Sequence, residues 1–185
     1  MRGMVSFARR GPLAVGLVLL LTAGCGGSGG AELIGSFSMD DADGLLDAGP
    51  DVTIDADQGL DGGGSLHIFA PEGNKLVNIH EFAPGDFDGD VLSVLMHMKS
   101  EMLGGDTSFD LWIFTNDSSP RRIRRLCADV GRTKDWQKVN ISFPLVEGEE
   151  PVKLRTAVHL EGRGHLWIDN LEIRALDVGE AAGRE

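Results

Sequence analysis

Residues 152–173, VKLRTAVHLEGRGHLWIDNLEI, decide the fold. In the first half, Val152, Leu154, Thr156, Val158 and Leu160 fall on one side of an extended chain. Lys153, Arg155, Ala157 and His159 fall on the other. That period of two is the mark of a half-buried strand, because successive side chains leave a strand on opposite faces. The break at Glu161–Gly164 carries two glycines and reads as a turn, and residues 165–173 read as a second strand. One residue in that strand is out of character. Asp169 stands among Trp167, Ile168 and Leu171, and a carboxylate is costly to bury without a partner.

Working outward, the same alternation recurs in short runs near 33–37, 52–55, 65–70, 76–82, 91–100, 109–114, 122–129 and 137–143. Gly, Pro, Asp or Asn stand at the breaks. Glycine makes up 26 of 185 residues, about double the usual share of roughly 7%, as many tight turns require. No segment shows amphipathic helical periodicity of useful length. Ten short strands without helical crossovers imply antiparallel pairing. The expected fold is therefore all-β, an antiparallel two-sheet β-sandwich of jelly-roll type.

Residues 1–24 are not part of that domain. Arg2, Arg9 and Arg10 precede the apolar run PLAVGLVLLL, too short to span a bilayer comfortably, and small residues precede Cys25. The sequence LTAGC, residues 21–25, resembles the lipobox of bacterial lipoproteins, with Thr22 where leucine is commonest. The resemblance implies cleavage before Cys25, lipid attachment to its sulfur, and a lipid-anchored place in the bacterial cell envelope after export across the inner membrane. The alternative is an ordinary cleaved signal with a chance cysteine. The pair Arg9–Arg10 has poor flanks for twin-arginine export. The expected organisation is a signal over 1–24, a flexible tether over 25–31, the sandwich over 32–176 and a disordered tail over 177–185.

The chain carries 17 basic against 29 acidic residues, a formal charge of −12. Loss of the three arginines in residues 1–24 takes it to −15. Such a charge argues against nucleic acid and against anionic lipid surfaces, leaving the lipid anchor as the membrane contact. With Cys25 lipidated, Cys127 has no intrachain partner and reads as a small buried hydrophobe.

Three stretches together resemble the jelly-roll carbohydrate-binding modules of the wider galactose-binding-like fold: GGGSLHI (62–68), VLSVLMHMKSE (91–101), and KDWQKVNISFPL (134–145) followed by VKLRTAVHLEGRGHLWIDNLEI. The last is the most specific, with a tryptophan before a strand and a closing strand that holds an aspartate. The resemblance implies that Asp169 helps bind one structural calcium, the other ligands coming from the end of the first strand and from loop carbonyls. Here that strand runs into FSMDDADG, so Asp40 and Asp41 are the candidate partners, with Asp43 close by. Calcium takes six to eight hard oxygens, which suits this chemistry. Ser38 stands where the family often has glutamate. The competing reading is that Asp169 accepts hydrogen bonds from loop amides or pairs with an arginine. The run GDFDGD (85–90) has three aspartates at EF-hand spacing, but Val91 replaces the required glycine and His97 the closing glutamate, so it reads as a solvated turn.

Sugar recognition needs ring faces for C–H packing and polar groups for hydroxyls. The chain has no tyrosine and three tryptophans. Trp136 takes the structural position in the resemblance and is expected in the core, and Trp167 is expected to be at least half buried. Trp112 alternates with Phe109, Leu111 and Ile113, so it takes the sheet face away from the core. Arg155, His159 and His97 also point away from apolar faces and are the candidate hydroxyl partners. No His-x-x-x-His pair and no Gly-x-Ser-x-Gly elbow occurs. The reading is a non-catalytic, envelope-anchored carbohydrate-binding-module-like lipoprotein with a saccharide partner. The alternative is a structural or protein-interaction lipoprotein that uses the same sandwich toward an envelope protein.

Overall fold

The structure, a computed structural model, describes residues 31–116, 119–127, 130 and 134–177. The signal segment, Cys25 and nearly all of the tether and tail lie outside these residues. Within them the chain forms ten strands: β1 Glu32–Phe37, β2 Val52–Asp55, β3 Ser65–Ala70, β4 Lys75–Phe82, β5 Val91–Glu101, β6 Thr107–Phe114, β7 Arg121–Leu126, β8 Gln137–Pro144, β9 Lys153–Leu160 and β10 Gly164–Leu176. All pairings are antiparallel. The sheets are β2-β3-β10-β5-β8, with β1 also on β10, and β4-β9-β6-β7. This is the two-sheet jelly-roll sandwich expected from the alternation.

Strand β10 organises the larger sheet. Its first five residues pair with β3 and Leu171–Ala175 pair with β1, so β1 and β3 lie end to end along one edge. Strand β5 runs along the other edge. The β5 register shifts between Asp169 and Glu172, where Asn170 takes a left-handed backbone (φ 51°). This bulge leaves Asp169 on the outer face while Ile168 and Leu171 stay in the core.

The core is what the alternation demands. Leu92, Val94, Met96 and Met98 of β5 face Phe109, Leu111 and Ile113 of β6, and Leu154, Val158 and Leu160 of β9, all essentially without solvent exposure. Phe109 meets Phe143 across the two layers at 6.1 Å between ring centroids. Each such side chain contributes about 1.5–3 kcal/mol by leaving water. Thr156 sits in this apolar layer because its hydroxyl is bonded to the backbone of His80 (3.2 Å from its N–H). Cys127 is buried just past β7, and burial pushes its thiol pKa up to about 12, which makes it an inert filler.

Strand β7 covers Arg121–Leu126, the Cys127 N–H still donates to the Thr107 carbonyl (2.8 Å), and residues 128 and 129 of the expected run lie outside the described residues. One sequence expectation is corrected. Trp136 is not core. It is partly exposed ahead of β8, with the Lys99 ammonium 5.6 Å from its ring centroid.

Candidate functional site

The outer face of the four-stranded sheet gathers most of the polar and aromatic residues singled out above. Register builds it in rows. One row runs Arg122, Trp112, Arg155 and Glu81 across β7, β6, β9 and β4. The next runs Arg124, Asp110, Ala157 and Asn78, and the third Leu126, Ser108, His159 and Leu76. Phe114 stands opposite Lys153 beyond the first row. Trp112, Arg155 and His159 thus share one surface.

His97 does not join them. It lies on β5 in the other sheet, directly opposite Asp169, with a shielded Nδ1 that has no protein partner. Alternation showed which way His97 points relative to its own strand, but not which sheet that strand enters.

Two carboxylates organise the charges of the face. Asp110 has no solvent exposure. Its Oδ1 accepts from Arg124 Nε (2.8 Å), and its Oδ2 accepts from Arg124 Nη2 (3.2 Å) and from Arg122 Nη2. The Arg122 guanidinium is thereby set 5.2 Å from the Trp112 ring centroid. Glu81 accepts from Arg155 Nε (2.8 Å) and pairs with Lys153 Nζ (2.9 Å). The hydrogen bonds from Lys153 and then Arg155 hold its pKa below the usual carboxylate range. Both cations also stack on Phe114, at 4.4 and 5.3 Å. His159 Nε2 donates to Asn74 Oδ1 (2.9 Å). Trp112 Nε1, His159 Nδ1 and Ser108 Oγ are shielded polar atoms on this face without a protein partner. Asp110, Arg122, Arg124, Glu81 and Lys153 were not singled out from sequence. The signal was present in RRIRR, whose period of two puts Arg122 and Arg124 on one side, but the partner strand had to be known first.

The outer face of the six-stranded sheet is also aromatic, and differently built. His67 and Trp167 stack at 4.8 Å, His67 and His165 at 5.1 Å, and Phe69 and His165 at 4.6 Å, with interplanar angles of 22°, 7° and 19°. Trp167 is only 7% exposed, and its Nε1 donates to Asp55 (2.9 Å). Lys99 lies 4.8 Å from its ring and also bonds Gln58. These rings thus stack largely on one another, with Lys99 also over Trp167.

Asp169 is 1% exposed. Its Oδ2 accepts from the Leu60 N–H (2.7 Å), the amide-held arrangement weighed against calcium in the sequence. Burial, followed by the nearby charges of Asp61 and Asp40, raises its pKa. Asp40 in turn accepts from Gly64 N–H (2.8 Å). Asp41 accepts from Asp43 N–H in its own turn (2.9 Å) and lies within electrostatic reach of His80 instead. Hard oxygens and uncompensated negative charge fit calcium at Asp169, with Asp40 and Asp61 rather than Asp41 beside it. Among the described residues no three His, Cys, Asp or Glu side chains close into a metal-holding group, so carbonyl or water oxygens would have to complete the shell.

No protein-family model matches the sequence, and no curated protein matches it. Solved structures do. The chain is similar to the CBM22-1 xylan-binding domain of Paenibacillus barcinonensis Xyn10C, at 13% identity over 82% of this chain and 99% of that one, with a TM-score of 0.57. It is similar to a family 16 carbohydrate-binding module at 12% identity over 72% and 92% (TM-score 0.53). A family 30 carbohydrate-binding module matches at 14% identity over 80% and 85% (TM-score 0.52). At such identities the likeness is one of fold: this chain has the jelly-roll sandwich of carbohydrate-binding modules.

Proposed function

We propose that the protein is a non-catalytic saccharide-binding lipoprotein of the bacterial envelope, anchored through Cys25, which takes its ligand on the outer face of the four-stranded sheet. The observation that carries the reading is the row Arg122–Trp112–Arg155: an indole flanked in register by two guanidinium groups, on the fold of carbohydrate-binding modules. The ring offers apolar area to sugar C–H groups, and Arg155 offers hydrogen bonds to hydroxyls. Chemistry on a glycosidic bond needs a carboxyl group that keeps its proton near neutral pH. Glu81 is held the other way by Lys153 and Arg155, which supports binding without turnover on this face. Calcium at Asp169 is part of the same proposal, with a structural role.

The test is titration of the full chain with a panel of oligosaccharides, read by tryptophan emission. One platform without tyrosine support implies a Kd no tighter than about 0.1 mM, some 5 kcal/mol. Trp112→Ala should abolish the response and leave the melting temperature within a few degrees. If Trp112→Ala instead costs the roughly 3–5 kcal/mol of a core tryptophan, the ring is packing, and the structural or protein-partner reading takes its place.

A further inference from the structure

The charge of this face runs against the charge of the chain. A protein of formal charge −12 puts Arg122, Arg124, Lys153 and Arg155 on one surface, against Asp110 and Glu81 among the described residues of the four strands, with Glu161 near Arg124 and Asp47 on Asn78 at the margin. The arginine and lysine side chains remain 32–41% exposed, whereas Asp110 is fully buried and Glu81 is 24% exposed. The acids therefore sit beneath the cations and the ligand meets the cations first. A guanidinium carries five N–H groups, and the bonds to Asp110 or Glu81 engage one or two of those on Arg122 and Arg155. Held by carboxylates below, these forks lose little further freedom when they meet a carboxylate above.

We infer that the saccharide taken here is acidic, its uronate carboxylates being read by Arg122 and Arg155 on the two sides of Trp112. The inference rests on the saccharide reading of this face. Adjacent strands lie about 4.8 Å apart, so the two arginines are rooted about 10 Å apart with the indole between them. A sugar ring packed on Trp112 thus carries an equatorial carboxylate toward one fork or the other. Between surfaces of like net charge, only a local cationic patch can attract such a polymer, so binding must be salt-sensitive.

The experiment measures binding of the full chain to polygalacturonate, alginate and glucuronoxylan, each beside its carboxyl-reduced counterpart, with xylan and β-glucan as neutral polymers and polyglutamate as a charged non-sugar. At least one uronate polymer should bind at least tenfold tighter than its reduced form and than polyglutamate, and should weaken at least tenfold between 50 and 500 mM salt. Arg122→Gln and Arg155→Gln, checked by melting to be folded, should each erase most of the gap between uronate and reduced polymer. Equal binding of uronate and reduced forms, or binding of neutral polymers alone, overturns the acidic inference and leaves saccharide binding standing. Polyglutamate bound as tightly as the uronates overturns it as charge attraction only. No binding to any polymer overturns both readings.

Discussion

Asp110→Asn tests the clamp beneath the candidate site. Asparagine keeps the shape and one acceptor oxygen but places an NH2 group where a carboxylate oxygen took Arg122 or Arg124. Removing one partner of a buried ion pair costs roughly 3–5 kcal/mol when the other charge is stranded. Here the stranded charges are guanidinium groups of side chains 32% and 41% exposed, which rehydrate, and the cost of burying the Asp110 charge disappears. The loss should fall to about 2 kcal/mol, near one net charge-assisted hydrogen bond. For a domain of this size that lowers the melting temperature by about 4–8 °C. Thermal unfolding followed by circular dichroism measures it, and a double-mutant cycle with Arg124→Gln should return most of the loss as coupling between the two sites. Release of Arg122 should also make Trp112 more accessible to acrylamide. A melting temperature within 1 °C of wild type, with no coupling to Arg124, would refute the clamp and the claim that it positions Arg122.

Calcium should raise the melting temperature and chelator lower it, with Asp169→Asn abolishing the difference, since a ligand bound only by the native state stabilises by mass action. A wild-type melting curve indifferent to chelator and to added calcium would leave Asp169 held by the backbone amides of Leu60 and Asn170. Burial holds the imidazoles of His67 and His80 below their ordinary pKa of about 6.5, so the unfolded chain binds more protons as pH falls past that value. Their stabilisation is complete above pH 6.5 and declines as pH falls through the lowered values; His80→Phe, which keeps a ring against Phe37, should flatten the decline, and an unchanged slope would count against it. Gly164→Ala should cost more than about 1 kcal/mol, because φ there is 144° and the new Cβ would lie 2.6 Å from the Glu101 carbonyl oxygen. Intact mass of the native protein should show residues 1–24 absent and acyl mass on Cys25; a mature form with an unmodified thiol would remove the anchor.

Much of the fold was legible because strand alternation is a local property. Strands β2 and β3 begin and end where the sequence placed them, and the core faces of β6 and β9 follow from parity alone. Parity says nothing about which strands share a sheet, and that is why His97 was grouped with residues of the other sheet. His97 and His159 both point away from the core, yet they are on opposite sides of the molecule. Asp110 looked like one more polar residue between apolar ones until β7 brought two arginines beside it. Asp61, a loop residue far from Asp169 in sequence, acts on Asp169 only because the loop before β3 folds over β10. Trp136 misled for a related reason. Its place before a strand suggested a buried anchor, whereas β8 is an edge strand, and the ring sits beside Lys99 at the sheet margin.

Under the saccharide reading, aromatic content alone does not choose between the two outer faces. The six-stranded sheet carries more rings, yet His67, His165, Phe69 and Trp167 turn their faces to each other, and Asp55 takes the indole N–H. What a sugar packs against is a ring face, and there most faces are stacked on one another. On the four-stranded sheet Trp112 and Phe114 are covered by Arg122, Lys153 and Arg155. A cation over a ring is worth about 0.5–1 kcal/mol at an exposed site, so a ligand ring displaces that contact at small cost while the bond to the carboxylate keeps the cationic head beside the ring. A stacked ring rooted in the sheet cannot move aside in that way. The face with fewer aromatics is therefore the one whose ring surface a ligand can uncover, and the side chains it displaces are the same cations that would then bind the acidic groups of that ligand.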